Sequence, residues 1–179
     1  MPLPPDPSPF AKVRLDGHLR GDLAALYAAE VHDTRNGPVI GGQLIEPLER
    51  AGADPVLVDR GWVPEAQWQA TPTPAGITSV VGFVHPAEHA GWFAATDNPA
   101  QRRFYTLDPQ AIGAALGLKA VAPFVLVAMG PAPAGQYPEP AQHLPRPPNN
   151  HLQYAITWYG FAITLLVIFF LYARKVPRS

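Results

Sequence analysis

The 179-residue chain contains no cysteine, and charged residues make up only 15% of it. Without cysteine there can be no disulfide scaffold, thiol nucleophile, Cys-ligated zinc or iron–sulfur cluster. The net charge is −1, so bulk charge cannot drive nucleic-acid binding and no nucleic-acid partner is expected. Soluble proteins usually carry about 25% charged residues. Part of this chain is therefore expected to avoid water.

One long segment without charge explains the shortage. Residues 152–173 carry no charge, and only Gln153, Thr157, Gly160 and Thr164 among them are not apolar. As a helix the segment would extend about 33 Å, enough for the ~30 Å hydrocarbon core of a bilayer. A buried core helix is the alternative, but such helices are mostly shorter and rarely uncharged on every side. The segment predicts a transmembrane helix in contact with membrane lipid.

The charges that flank this segment predict its orientation. Arg174, Lys175 and Arg178 follow it, whereas Arg146 and Glu139 are the nearest charges before it. Because cationic flanks stay in the cytoplasm, the C-terminus is expected inside and the preceding domain outside. The first residues, MPLPPDPSPF, have neither the basic start nor the apolar stretch that would export this domain. We therefore expect that an N-terminal transmembrane segment is missing from the chain.

The region before the membrane segment has the pattern of short strands separated by turn residues. Apolar and polar residues alternate over Lys12–Leu19, and residues 55–63 are apolar enough for a central strand. Residues 24–33 are ambiguous, because their alanines favour helix whereas the flanking turn residues favour strand. The remaining predicted strands are 39–48, 78–85 and 123–129.

One helix is predicted within this region. Asp108 is suited to its N-cap, Pro109 to its first position and Gly117 to its end. Because strands outnumber helices, the predicted fold class is α+β: an antiparallel, sheet-dominated extracytoplasmic domain plus a C-terminal transmembrane helix. The predicted organisation is a Pro-rich linker over 1–10, the sheet-rich domain over 11–130, a Pro-rich tether over 131–150, the membrane helix over 151–173 and a basic tail over 174–179.

The sequence offers little catalytic chemistry. His85 and His89 belong to a formal H-x-x-E-H string, but it begins at the end of a predicted strand, and the motif needs both histidines on one helix face. Arg60, followed by Gly61 and Trp62, could bind an anion, although stacking of Arg60 on Trp62 is the plainer interpretation. No phosphate-binding loop, dinucleotide fingerprint or nucleophile elbow occurs. We therefore predict that the protein is not an enzyme.

The start of the predicted membrane helix carries the most specific pattern. His151, Ala155, Trp158 and Ala162 are spaced so that they share one helix face. The alanines leave a shallow groove there, which another helix or a flat aromatic ligand would fill. A neutral imidazole is a standard axial ligand of haem iron, so His151 is the candidate metal ligand. A solvated histidine at the membrane interface is the alternative.

Three segments together resemble a known family. They are NNHLQYAITWYG at residues 149–160, PVLVDRGWVP at 55–64 and PFVLVAMGP at 123–131. They closely resemble the Surfeit locus protein 1 family, membrane-bound assembly factors of haem–copper cytochrome oxidases. Members of that family have an N-terminal transmembrane helix, a large periplasmic or intermembrane domain and a second transmembrane helix that ends inside. The resemblance therefore implies the cell inner membrane, a periplasmic domain and a cytoplasmic C-terminus.

The resemblance also implies a function. It implies a role in maturing the catalytic subunit of cytochrome c oxidase, by holding haem a for insertion, with no catalytic step. The family's histidine falls on His151, with Tyr154 and Trp158 lining the haem site, while Asn149 and Asn150 are suited to cap the helix or orient the imidazole. The main alternative is a structural assembly scaffold that binds oxidase subunits without haem. An extracytoplasmic enzyme and a periplasmic sensor are further alternatives.

Overall fold

The computed structural model describes residues 7–34, 37–91, 95–131, 133, 135–145 and 151–175. These residues form two compact units, one within residues 1–144 and the other within residues 145–179. The first unit is a seven-stranded sheet with one short α-helix, and the second is a single long helix. The elements are β1 (Lys12–Leu19), β2 (Ala25–Thr34), β3 (Gly37–Arg50), β4 (Ala53–Pro64), β5 (Ile77–Pro86), β6 (Arg103–Phe104), α1 (Pro109–Ala115), β7 (Phe124–Ala128) and α2 (His151–Lys175).

Strand β1 has the predicted bounds and the predicted alternation. Leu15 and Leu19 are buried, whereas Arg14 and Asp16 on the opposite face are exposed. Alternate residues of a strand point to opposite faces, so the pattern of apolar residues selects the face that enters the core. The ambiguous residues 24–33 lie mostly in β2, where an irregularity of register separates Tyr27 from Glu30. Pairing with the neighbouring strand thus overrides the helix preference of the alanines.

The sheet is mixed, in the order β1-β5-β7-β4-β3-β2-β6. Pairing among the described residues is mainly antiparallel, as predicted, but β4 runs parallel to β7 and β2 runs parallel to β6. Parallel neighbours need a long crossover connection, and the chain between β4 and β7 includes β5 and α1. Strand β4 lies between β3 and β7, which confirms the central position predicted for residues 55–63.

The sheet closes on itself, which the sequence pattern did not predict. Leu48 and Glu49 at the end of β3 pair with Leu19 and His18 at the end of β1. The ring of β1, β5, β7, β4 and β3 encloses one hydrophobic core. The buried residues of this core are Leu15, Leu19, Leu48, Val56, Val58, Val80, Val84, Ala122, Phe124 and Leu126.

Helix α1 covers part of the outer face of the sheet. Asp108 caps it, because its carboxylate accepts hydrogen bonds from the backbone N–H groups of Gln110 (2.9 Å) and Ala111 (3.3 Å). Pro109 is the first helical residue, as predicted, and Gly117 follows the helix at φ +78°. The buried cluster under the helix contains Ala25, Ile45, Leu57, Phe104, Leu107, Ile112, Leu116 and Val125. Outward-facing residues of the central strands are thereby also removed from water.

Candidate functional site

Helix α2 contains three of the five predicted site residues. It has 25 residues, and His151–Arg174 is long and apolar enough to cross a membrane. His151 is its first residue, Tyr154 lies one turn further and Trp158 two turns further. All three side chains are exposed within their unit. Asn149 and Asn150, predicted to cap the helix or orient the imidazole, lie outside the described residues.

The helical geometry brings the predicted residues to one face of α2. His151 and Trp158 are seven residues apart, so they lie on the same face, about 10 Å apart along the axis. Ala155 lies between them, and the ring of Trp158 contacts Phe161 edge-on at 6.1 Å between centroids. An imidazole beside a small residue and an aromatic ring suits the flat face and the iron of a haem. His151, Ala155 and Trp158 are thus presented on one face of a single helix.

In the sheet unit, the segment PVLVDRGWVP forms the end of β4. Residues 137–143, which we call the strap, pair with it through backbone hydrogen bonds. The backbone N–H of Trp62 donates to the Glu139 carbonyl oxygen (3.0 Å), and the N–H of Glu139 donates to the Trp62 carbonyl oxygen (2.9 Å). The N–H of Ala141 donates to the carbonyl oxygen of Ala128 at the end of β7 (3.0 Å). The strap lies within the stretch predicted as a tether, and these bonds join it to both β4 and β7.

Gly61 permits this close approach. Its φ is +116°, and a Cβ atom at this position would lie 2.0 Å from the Glu139 carbonyl oxygen. Any side chain would therefore collide with the strap backbone and also strain the main chain. Gly61 is therefore required because the backbone of the strap passes directly over it.

Arg60 does not have the environment that the sequence suggested. Its guanidinium pairs with the buried carboxylate of Glu46 at 2.8 Å and donates to the carbonyl oxygen of Pro72 at 3.1 Å. The ring stacked on Trp62 is the imidazole of His32, at 4.2 Å between centroids and 7° between planes. The predicted stacking of Arg60 on Trp62 is therefore wrong, because Glu46 from the neighbouring strand supplies a counter-ion. With its charge paired, Arg60 does not form an open anion site.

Asp59 is a buried acid of the sheet unit, two residues before Gly61 in β4. It is 6% exposed, and its Oδ1 accepts a hydrogen bond from the Gly61 N–H at 2.9 Å. Burial raises the pKa of Asp59 to about 7, against only this one hydrogen bond that lowers it. Burial, together with nearby Glu88, also raises the pKa of Tyr27, which donates to the Glu88 carboxylate at 3.0 Å. The sequence analysis identified neither Asp59 nor Tyr27 as a functional candidate. The available signal was an acidic residue, Asp59, within a predicted apolar strand.

The H-x-x-E-H string is not built as a zinc-binding helix. His85 lies in β5, and His89 follows in a segment without regular structure. Glu88, between them, accepts hydrogen bonds from Tyr27 and from the N–H of Leu107 (3.2 Å). Within the described part of the chain, no group of three or more His, Cys, Asp or Glu side chains is arranged to hold a metal ion. Pairing of β5 with β1 and β7 prevents the helix that the motif needs.

The described residues form a sheet-rich unit and a helix long and apolar enough to cross a membrane, which is consistent with a membrane-associated class of protein. The SURF1 family model matches residues 1–163, and the chain belongs to that family. This confirms the resemblance carried by its three segments. SURF1 proteins are known generally as oxidase assembly factors and not as enzymes.

Individual relatives agree with the family match. The chain is 27% identical over 188 residues to a SURF1-like protein of Rickettsia conorii, covering 97% of this chain and 76% of the relative. It is 28% identical over 179 residues to a SURF1-like protein of Rickettsia bellii, covering 96% and 72%. It is 32% identical over 149 residues to a SURF1-like protein of Monosiga brevicollis, covering 79% and 56%.

Proposed function

We propose that this protein is a membrane-anchored assembly factor for haem–copper cytochrome oxidase that holds haem a for insertion into the catalytic subunit. The observation that carries the proposal is His151 at the first position of α2, on a face shared with Ala155 and Trp158. Family membership supports the assembly role, and the helix face supports the haem ligand.

Each residue of this face has a distinct task in the proposal. His151 presents an imidazole at the edge of the membrane, where a histidine is tolerated. Ala155 leaves space for a flat ring, and Trp158 and Tyr154 provide aromatic walls. Iron held by an imidazole has its redox potential and spectrum set by that ligand. Asn149 and Asn150 are proposed to hold the start of the helix or the second imidazole nitrogen.

The charge distribution supports a location and an orientation. The acidic residues all precede α2, whereas Arg174, Lys175 and Arg178 lie at its end or beyond it. By the positive-inside rule this favours a cytoplasmic C-terminus and a periplasmic sheet domain at the cell inner membrane. His151 would then lie at the periplasmic edge of the bilayer.

A carrier that must release its cargo needs only moderate affinity. Each 1.4 kcal/mol of binding free energy changes the dissociation constant about tenfold, so a very tight site would retain the haem. One ligand on one exposed helix face is consistent with exchange. No bond in the haem is made or broken by the residues of this face, and the proposal contains no catalytic step.

A structural scaffold that binds oxidase subunits without haem is the second candidate. One observation favours it: Val31 and Ile40 are directly paired between β2 and β3, and they are 62% and 57% exposed. An exposed apolar pair on a sheet face suits contact with another protein. In this case His151 is only an interfacial residue.

The replacement His151→Ala tests the haem ligand. The full chain, purified in detergent from cells that make haem a, should carry a Soret band that the variant loses or shifts. The matched control is His18→Ala, which removes an exposed histidine from β1 and should leave the band unchanged. Circular dichroism should report an unchanged sheet domain in both variants, because neither residue is in the core. Equal haem content and an identical spectrum in His151→Ala would overturn the ligand assignment and favour the scaffold.

A further inference from the structure

A cavity of about 560 Å³ lies in the sheet unit. Strands β2, β3, β4, β5 and β7, Leu107 and the strap all contribute to its wall. Phe83, Leu107 and Val127 form apolar parts of this wall. The cavity is far larger than a single ion requires and has the size of ordinary small-molecule sites.

The charges around this cavity have one sign. Asp59, Glu30 and Glu139 line it, and Glu88 lies next to it through its hydrogen bond to Tyr27. Among the described residues that line it, none is lysine or arginine. The resulting negative potential attracts a cation and repels an anion. A haem, with its two carboxylates, would therefore be disfavoured here.

Asp59 distinguishes the cavity from a surface cluster of acids. It is 6% exposed, and its Oδ1 is held by the Gly61 N–H. Its Oδ2 receives no hydrogen bond from any residue of the described ranges, although Asp59 lines the cavity. A buried carboxylate without a counter-ion is costly, and a bound positive group would remove that cost.

His32 lies close to two of the neighbouring acids. Its Nε2 lies 3.3 Å from Glu30 Oε2, and its Nδ1 lies 3.9 Å from Glu139 Oε2. Gln43 donates a hydrogen bond to Glu30 Oε2 at 3.1 Å. Glu30 therefore has a hydrogen-bond donor, whereas Asp59 Oδ2 has none among the described residues.

We propose that this cavity binds an alkylammonium or guanidinium group, with Asp59 as its counter-ion and Phe83, Leu107 and Val127 around its carbon stem. Such groups combine a positive head with an apolar body, as the wall of the cavity requires. A metal ion is not favoured, because the described side chains form no group of three metal donors. The positive group can belong to a free amine or to a lysine or arginine of a partner protein. This inference does not rest on the haem proposal.

The test uses the full chain in detergent and isothermal titration calorimetry at pH 8. The probes are n-butylammonium and n-butylguanidinium, with n-butylurea as the uncharged control of the same shape. Asp59→Asn removes the charge but keeps an Oδ1 acceptor for the Gly61 N–H. It should weaken binding of both cations at least tenfold. Asp16→Asn, which removes an exposed acid from β1, should leave the affinity unchanged.

The pH provides a second readout. With a pKa of about 7, Asp59 is about 90% ionised at pH 8 and about 10% ionised at pH 6. Cation affinity should therefore fall about tenfold between these values. Protonation of nearby histidines would also weaken cation binding at the lower pH. The contribution of Asp59 is therefore the part of the fall in affinity that is absent in Asp59→Asn. The titratable groups around Asp59 are Tyr27, Glu30, His32, His85, Glu88, Glu139 and His143.

Two peptides distinguish the possible sources of the positive group. Binding of acetyl-Gly-Arg-Gly-amide or acetyl-Gly-Lys-Gly-amide in preference to the free amines would support a partner side chain. Preference for the free amines would support a small-molecule ligand. The proposal is overturned if no cation binds, if n-butylurea binds equally well, or if Asp59→Asn binds like the unchanged protein. Binding of Zn²⁺ without binding of any amine would also overturn it.

Discussion

Large apolar side chains are mostly buried in the sheet unit but exposed in helix α2. Among the described residues of the sheet unit most large apolar side chains are buried, and the exposed exceptions include Val31 and Ile40. In α2 every large apolar side chain from Leu152 to Tyr172 is at least 52% exposed. The first arrangement is stable in water because the sheet closes around its own core. The second is stable only where the surroundings of the helix are apolar as well.

The two units also differ in whether they contain buried charged residues. No Asp, Glu, Lys or Arg occurs in residues 152–173, whereas the sheet unit buries both Glu46 and Asp59. Glu46 is paired with Arg60, but Asp59 has no counter-ion among the described residues. The unit that builds a water-excluding core can thus hold one carboxylate in an unfavourable state. Such a group lowers stability and is typical of binding sites.

The largest expected effect comes from placing charge in the apolar surface of α2. The double change Ile163→Arg/Val167→Arg should release the chain from membranes, because each central arginine costs on the order of 3 kcal/mol in insertion free energy. Carbonate extraction of membranes measures the fraction retained. The control is Val31→Arg/Ile40→Arg, which changes two apolar residues of similar exposure in the sheet unit. Equal retention of the two variants would contradict the difference between the units.

The next effect concerns Asp59 and pH. Its pKa in the folded protein, about 7, lies above the ordinary value of 3.8, so the folded state holds this proton more tightly. The stability that Asp59 contributes is therefore present below pH 4 and is lost as the pH rises to about 7. Relative to the unchanged protein, Asp59→Asn should gain on the order of 4 kcal/mol in unfolding free energy between pH 4 and pH 8.

Urea titrations of both proteins at several pH values measure this gain. Differences between variant and unchanged protein are needed, because other carboxylates also titrate in acid. Asp16→Asn, on the exposed face of β1, controls for the loss of one negative charge. A difference between Asp59→Asn and the unchanged protein that stays constant with pH would show that burial does not raise the pKa of Asp59.

The smallest expected effect concerns the attachment of the strap. Gly61→Ala should lower the unfolding free energy by about 3 kcal/mol, because its Cβ collides with the Glu139 carbonyl and its φ is unfavourable. Gly76→Ala is the matched control: its φ is +81°, but no atom lies within 4 Å of the added Cβ. It should cost about 1 kcal/mol. Amide hydrogen exchange at Trp62 and Glu139 should accelerate only in Gly61→Ala, and equal behaviour of the two variants would exclude the collision as the cause.

Local features of the fold were predicted well where neighbouring residues decide them. The alternation over Lys12–Leu19 selects the inner face of β1, and Asp108 followed by Pro109 starts α1 at the expected residue. The central position of residues 55–63 also followed, because a run apolar on both faces needs cover on both. The position of His151 and Trp158 on one face of α2 was predicted in the same way, since helical spacing alone determines it.

Features that join distant segments were not predicted. The environment of Arg60 was predicted incorrectly, because its counter-ion Glu46 lies in another strand, and the pairing of β1 with β3 that closes the sheet was missed. The importance of Asp59 was missed for the same reason. An acid in a strand is ordinary until the elements around it remove the water, and these elements are far away in the sequence.

The sequence by itself determined the family, the long apolar helix and the faces of the strands. Each of these depends on composition, on a motif or on the geometry of one element. Only the tertiary structure decided the parallel pairing of β4 with β7, the attachment of the strap at Gly61 and the burial of Asp59. These depend on which segments meet and in which register, and a sheet selects its register by burying one whole face at once. No local pattern carries that information.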